Sequence, residues 1–281
     1  MLEVYLTLWR SGALSRIIRF FQDSRSKRWM GFLRNWRRKR VLKSARIEEA
    51  LWTRVAAKLS FVRGLSEEET ARLKQLVVLF LAEKEMHGAQ GLQLTDEVRV
   101  SIAMQACLPI LNLGLDTYNG WVGVVVYPGE FRVRKEEMDE HGIVHTFDEE
   151  LAGEAWPGGP VILSWEDVGL AERGYNVVIH EFAHKIHMDG AGDADFPAAC
   201  AGMDAAKWRE TLEGAYRRFC SEVDAGRPTF IDPYAAEHPA EFFAVMSEAF
   251  FTESAVLARD WPELYRQFAL FYRQDPAGRT G

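Results

Sequence analysis

The chain has 281 residues, of which 48% are hydrophobic and 12% aromatic, so it can bury a sizeable core in one large domain or two small ones. It contains no run of eighteen apolar residues, which excludes a membrane-spanning helix, and its N-terminus lacks the order of a secretory signal. These two features predict a cytoplasmic protein. The three cysteines include no C-x-x-C pair, which argues against a disulfide framework and against a thiolate zinc site.

The net charge of −7 is distributed unevenly along the chain. Residues 1–45 hold 12 lysines and arginines against 2 acidic residues, whereas the remainder holds 22 against 39. The acidic remainder predicts no direct binding to nucleic acid, because attraction to phosphate needs a basic surface. Residues 1–45 are either a poorly ordered leader, the interpretation we favour, or a basic amphipathic segment that contacts an anionic membrane or nucleic acid. We therefore expect this N-terminal arm and a single domain over residues 46–281.

Helical patterns come first in the predicted domain. Residues 46–85 are predicted to be helical, with one helix beginning at Ser66. A further helix is predicted to begin at Thr95 and to bend or end near Pro109, because proline has no N–H and clashes with the preceding turn. The apolar stripe of the Ser66 helix comprises Leu73, Leu76, Val77, Phe80 and Leu81.

Strand patterns occupy the middle of the chain. Residues 121–127 are β-branched and aromatic and end at a Pro-Gly turn, which predicts a strand, and residues 131–135 are expected to continue the same sheet. The acidic stretch 136–154 predicts an exposed loop or hairpin. Residues 161–165 predict a second strand. By analogy with other folds, we expect it to be an exposed edge that can pair with an extended substrate.

Helical patterns return after the second strand. An apolar helix is predicted to end near residues 188–190, and another to span residues 203–222. A last helical region is expected to begin at His238-Pro239 and to reach about residue 251, followed by an aromatic helix that ends near residue 274. The chain is therefore predicted to be a helix-rich α+β domain, with a small sheet beside the first of these helices.

Residues 180–184 form an H-E-x-x-H pattern within that apolar helix. His180 and His184 lie four residues apart, so both imidazoles lie on one helix face and can reach one metal ion. Glu181 is placed to take a proton from a water that the metal activates. The alternative is a helix that merely packs two histidines and a glutamate. Because the apolar flanks predict burial, and a buried histidine pair beside a carboxylate needs partners, we predict one Zn²⁺ per chain.

A catalytic zinc ion needs a third protein ligand. Glu241 lies in an apolar helix that begins at His238, so its carboxylate can turn inward to the metal. At the third helical position it can equally cap the backbone, and spacing alone leaves the two interpretations open. Glu248, two turns further on, is another candidate ligand or an acceptor for a histidine N–H. His187 is a poor third ligand, because it would have to fold back toward the metal.

Four segments carry a resemblance to a known family. They are Y-P-G-E-F at 127–131, G-P-V-I-L-S-W at 159–165, V-I-H-E-F-A-H-K at 178–185 and Y-A-A-E-H-P-A-E-F-F at 234–243. Together and in this order they resemble the Mlc titration factor family of bacterial zinc peptidases, over roughly residues 31–275. The last segment is also distantly similar to the catalytic domain of anthrax lethal factor.

The resemblance implies a zincin-like fold of the gluzincin type and a zinc-dependent peptidase, aminopeptidase-like on small or extended peptides. It implies that Glu241 is the third zinc ligand, with His180 and His184. It also implies that Tyr234 points at the metal-bound substrate, whereas without the resemblance Tyr234 would be a packed loop residue. The family usually has an aspartate three residues after the second histidine, where this chain has His187.

The resemblance further implies a regulatory partner, a glucose repressor of the Mlc type. The alternative function is therefore a binding protein that sequesters a transcription repressor, with its peptidase activity secondary.

Overall fold

The computed structural model of this chain describes residues 24–138, 144–169, 174–191 and 195–279. These residues belong to two compact units, one that ends at Arg46 and one that starts at Ile47. In the first unit, helix α1 (Ser24–Ser44) contains no acidic residue. The other part of the predicted arm, residues 1–23, lies outside the described residues, and its division from the domain stays a prediction.

The second unit begins with three helices and a short strand. These are α2 (Glu49–Lys58), α3 (Glu67–Glu83), β1 (Glu85–Gly88) and α4 (Asp96–Cys107). As predicted, α3 begins at Ser66, whose Oγ accepts a hydrogen bond from Glu69 N at 3.1 Å while the Glu69 carboxylate accepts from Ser66 N at 3.0 Å. Thr95 caps α4 by accepting from Val98 N at 3.3 Å. Strand β1 was not predicted.

The strands form one mixed sheet and one separate hairpin. They are β2 (Gly123–Tyr127), β3 (Phe131–Met138), β4 (Val144–Leu151), β5 (Gly153–Ala155) and β6 (Val161–Ser164). The four-stranded sheet has the order β1-β2-β6-β5, with β1, β2 and β6 parallel and β5 antiparallel to β6. The hairpin pairs β3 with β4.

Two expectations about these strands were wrong. Residues 131–135 do not continue the sheet, because β3 pairs with β4, with Phe131 opposite Leu151. The acidic stretch 136–154 was expected to form a loop or hairpin. The hairpin is confirmed for the described residues of this stretch, which exclude 139–143. Strand β6 is not an exposed edge, because residues 153–155 fold back along its free side, with Glu154 opposite Ile162. The edge strand on this side is therefore β5.

Six helices complete the described chain. They are α5 (Trp165–Gly169), α6 (Val177–Ala191), α7 (Ala205–Asp224), α8 (Pro239–Thr252), α9 (Ser254–Asp260) and α10 (Pro262–Tyr272). The aromatic segment near the C-terminus is split, because Pro262 cannot donate to the preceding turn and opens a new helix. Within the described ranges, no helix is long and apolar enough to cross a membrane.

Helix α6 lies at the centre of the second unit, against β5, β6, α4 and α8. Its burial is confirmed, since Val178, Ile179, Phe182 and Ala183 are fully buried. The Lys185 ammonium, also on α6, donates to the carbonyls of residues 156 and 159 at 2.5 and 2.8 Å. These bonds tie the turn between β5 and β6 to α6. The fold is thus a helix-rich α+β unit whose small sheet places its edge strand beside this helix.

Candidate metal centre

Helix α6 presents its two histidines on one face. The side chain of Asn176 caps the helix by accepting a hydrogen bond from Ile179 N at 2.9 Å, so the helix begins one turn before the H-E-x-x-H pattern. The four-residue spacing then brings the ring centroids of His180 and His184 to 4.8 Å. Their Nε2 atoms lie 3.1 Å apart.

Helix α8 brings a carboxylate to the same point. His238 caps this helix by accepting from Ala240 N at 3.1 Å, and Pro239 occupies its first position, as predicted. The Oε2 atom of Glu241 lies 3.1 Å from His180 Nε2 and 3.3 Å from His184 Nε2. The structure therefore brings together the three residues that the sequence analysis proposed as ligands, and it places the Glu241 carboxylate at the histidine pair.

The three donor atoms fit a metal ion of the size and preference of zinc. A tetrahedral ion with ligand bonds near 2.0–2.1 Å has neighbouring ligand atoms about 3.3 Å apart. The observed edges of 3.1, 3.1 and 3.3 Å agree with this spacing. Two imidazole nitrogens and one carboxylate oxygen are also ligand types that zinc accepts. Over the ranges that the structure covers, this is the group of histidine, cysteine and acidic residues that could hold a metal ion.

Glu248 fixes the orientation of one histidine. Its Oε1 lies 2.8 Å from His180 Nδ1, and its Oε2 accepts a hydrogen bond from the backbone N–H of Asn176. Glu248 is itself buried, and burial raises the pKa of its carboxyl group. Because Nδ1 of His180 is held by Glu248, Nε2 is the atom that faces Glu241. In metal sites, a carboxylate that contacts the second ring nitrogen of a histidine in this way orients the ring toward the metal.

Glu181 lies beside the three donor atoms in a dry environment. The side chain is only 4% exposed, and its Oε2 is buried without a hydrogen-bond partner. Burial raises the pKa of Glu181 to about 8, although the charge of His180 acts in the opposite direction. A carboxylate in such surroundings is a stronger base than one in water, which suits proton transfer near neutral pH.

A cavity of about 750 Å³ opens over this group. Its wall includes β5, both histidines and Tyr234, which lies on a 3₁₀ turn (Pro233–Ala236) that packs against α8. Tyr234 is 38% exposed, and its backbone N–H is held by the Asp232 side chain at 2.9 Å. The cavity therefore collects the residues to which the sequence analysis assigned chemistry.

The cavity wall is rich in acidic residues. Its acidic residues are Glu154, Glu181, Asp232, Glu241 and Glu248. The wall contains no lysine or arginine among the residues that the structure describes. Such a wall favours a positively charged group on a ligand and disfavours a carboxylate.

Three features near the site can be compared with the sequence analysis, which predicted the position of the first and missed the other two. His187 is buried, and its ring packs edge-on against Phe243 at 6.2 Å, so it lies apart from the three donor atoms, as predicted. The sequence analysis did not identify Asn176 as a helix cap, although an asparagine one residue before a predicted helix is a recognisable cap signal. The edge strand β5 was also missed, because its three residues carry no strand pattern of their own.

Comparison with known proteins identifies close relatives of the chain. A family model described as glucose-regulated metallo-peptidase M90 matches residues 33–273, which include the whole metal centre. Mlc titration factor A of Pectobacterium atrosepticum is 38% identical over 228 residues, covering 80% of this chain and 86% of the relative. The same-named protein of Salmonella arizonae is 36% identical over 248 residues, with 87% and 97% covered. That of Serratia proteamaculans is 36% identical over 228 residues, with 80% and 87% covered. The family resemblance seen in the four sequence segments is confirmed.

Proposed function

The chain belongs to the M90 family of glucose-regulated metallopeptidases, and from this premise we propose that it is a zinc-dependent peptidase with aminopeptidase-like action. One observation carries the proposal. Two imidazole nitrogens and a carboxylate oxygen lie 3.1–3.3 Å apart, next to the buried carboxylate of Glu181. The pairing of an H-E-x-x-H helix with a glutamate from a second helix also supports a zincin-like fold of the gluzincin type.

In this proposal, His180, His184 and Glu241 hold the metal ion. When bound, Zn²⁺ supplies a Lewis acid that polarises the scissile carbonyl and lowers the pKa of water toward neutrality. Glu248 keeps the His180 ring in the orientation that binding requires.

Two side chains then act on the reacting atoms. Glu181 accepts a proton from the attacking water and passes it to the nitrogen of the leaving amine. Tyr234, on the cavity wall, donates a hydrogen bond to the carbonyl oxygen as negative charge develops on it, and a donor of this kind contributes about 3 kcal/mol. The edge strand β5 offers backbone groups to which an extended peptide can pair, a role that we had assigned to β6.

The charge of the cavity supports action at the amino end of a peptide. A free α-ammonium group is attracted by the carboxylates of Glu154 and Asp232, which are neither proposed metal ligands nor the proposed base, whereas a C-terminal carboxylate meets no lysine or arginine in the described part of the wall. The apolar wall residues Val177, Ile231 and Val245 favour small apolar side chains near the scissile bond.

We therefore expect hydrolysis of an alanine anilide to exceed that of its N-acetyl counterpart by at least about 100-fold, because the acetylated substrate loses its ammonium group. The measurement is the ratio of kcat/KM for the two substrates, which share the same leaving group. Equal rates, or faster cleavage of long N-acetylated peptides, would show an endopeptidase and overturn the aminopeptidase assignment.

A second candidate function rests on the names of the relatives. Proteins 36–38% identical to this chain are called Mlc titration factor A, a name that describes binding of the Mlc repressor. We propose that this chain also binds a repressor of that type. In the alternative form of this proposal, repressor capture is the main function and hydrolysis is secondary.

The N-terminal arm carries its own prediction. Removal of residues 1–29 is expected to leave hydrolysis and the midpoint of thermal unfolding nearly unchanged, because the family match begins only at residue 33. Liposome sedimentation of the full chain and of the chain from Met30 tests the membrane interpretation, which predicts that only the full chain sediments. A truncated chain that is insoluble, or that unfolds at much lower temperature, would show that the arm stabilises the domain.

A further inference from the structure

Gly153 opens the edge strand β5, opposite Leu163 of β6. Its φ does not lie in the left-handed region, so its backbone conformation is open to any residue. In a strand, a glycine costs backbone entropy and packs no side chain. Glycine at this position is therefore explained by the lack of space for a side chain.

A side chain at position 153 would collide with Glu181. A Cβ atom added to Gly153 would lie 2.5 Å from Oε1, 2.7 Å from Cγ and 2.8 Å from Cδ of Glu181, far inside the 3.5–4.0 Å of a favourable contact. Not every glycine of this sheet lacks space for a side chain, as Gly123 in strand β2 shows. A Cβ atom there would come no closer than 3.5 Å to Pro160.

Glu181 can give way only by leaving the strand. It is 4% exposed, and its Oε2 is also buried. A carboxylate displaced by a methyl group at position 153 would have to turn away from β5, into the cavity that Glu181 lines.

We propose that Gly153 is a positioning residue for Glu181. Because position 153 has no side chain, the carboxylate of Glu181 lies directly against the edge strand to which an extended peptide would pair. The distance between the base and the peptide bond is then set by the strand itself. This inference rests on the proposed function, since it gives the contact a role in the same reaction.

The first test is the turnover of Gly153→Ala. We expect kcat to fall by about 100-fold, the loss typical of a catalytic group misplaced by 1 Å. KM should change little, because the backbone of β5 is retained, and one metal ion per chain should remain bound. Gly123→Ala is the matched control and should keep the wild-type kcat. In the background of Glu181→Ala, which removes all three atoms that the added methyl group would meet, Gly153→Ala should lower the residual kcat little further.

A second test needs no activity. Gly153→Ala should lower the midpoint of thermal unfolding by about 5 °C, because a methyl group is forced into a filled space. In the background of Glu181→Ala the same substitution should leave the midpoint unchanged or raise it, since the space is then open and alanine restricts the unfolded chain more than glycine does.

The outcomes separate this inference from the proposed function. An active wild type with Gly153→Ala close to it in kcat would overturn the positioning role alone. Equal losses with and without the Glu181 substitution would also overturn it, because they would show a general effect on the strand. A wild type that hydrolyses no peptide would overturn the proposed function, and the positioning role with it.

Discussion

Replacing Glu181 by glutamine is expected to lower kcat by about 10²–10⁴-fold, the range that general acid–base catalysis contributes, while the chain keeps its metal ion. Glutamine has nearly the same shape as glutamate but cannot accept the proton of the attacking water. The three proposed ligands are His180, His184 and Glu241, so the substitution leaves the donor atoms in place. Kinetics with an alanine anilide and metal analysis of the same sample measure both effects.

Glu237→Gln is the control, because Glu237 is exposed and precedes the Glu241 helix. It should keep the wild-type kcat. A Glu181→Gln variant with wild-type activity would show that another group takes the proton. The same variant also separates the two candidate functions, since binding of a Mlc-type repressor should survive the loss of hydrolysis.

The second large effect is expected at the carboxylate ligand. Glu241→Ala should abolish metal binding as completely as His180→Ala, because it removes one of three donor atoms. Glu248→Ala should lower metal affinity by only about 10–100-fold, since Glu248 contacts Nδ1 of His180 and is not one of the three proposed donor residues. Titration of the metal-free chains with zinc measures the three affinities.

The relative loss of zinc affinity in Glu241→Ala and Glu248→Ala decides which glutamate is the metal ligand, a question that spacing in the sequence left open. A Glu248→Ala variant that loses zinc more completely than Glu241→Ala would make Glu248 the ligand. Glu237→Ala, at an exposed position four residues before Glu241, should bind zinc as the wild type does.

Local patterns predicted several helices, including the two that carry the site. The H-E-x-x-H spacing, the cap at Ser66 and the start of α8 at His238-Pro239 each depend on a few neighbouring residues, and all three are found in the structure. The strands were predicted less well. Strand β1 has the sequence E-M-H-G, with no β-branched residue, and forms because it pairs with β2. Sheet order and edge position depend on such distant pairings, which explains why β6 was taken for the edge.

The residues of the site divide in the same way, into those that local patterns predict and those that depend on contacts between distant parts of the chain. The position of His180 and His184 follows from helix geometry, so sequence alone could place them together. Whether Glu241 faces a metal or caps its own helix depends on how α8 packs against α6, which spacing cannot reveal. The contact between Gly153 and Glu181 joins residues 28 positions apart and leaves no local signal except the glycine itself.

The most direct test of the account is the zinc content of the full chain, measured by mass spectrometry before and after chelation while hydrolysis is followed in the same sample. We predict one zinc ion per chain, loss of hydrolysis in step with loss of the ion, and recovery when one equivalent of zinc is returned. A chain that hydrolyses the alanine anilide at the full rate after the metal has been removed would contradict the account.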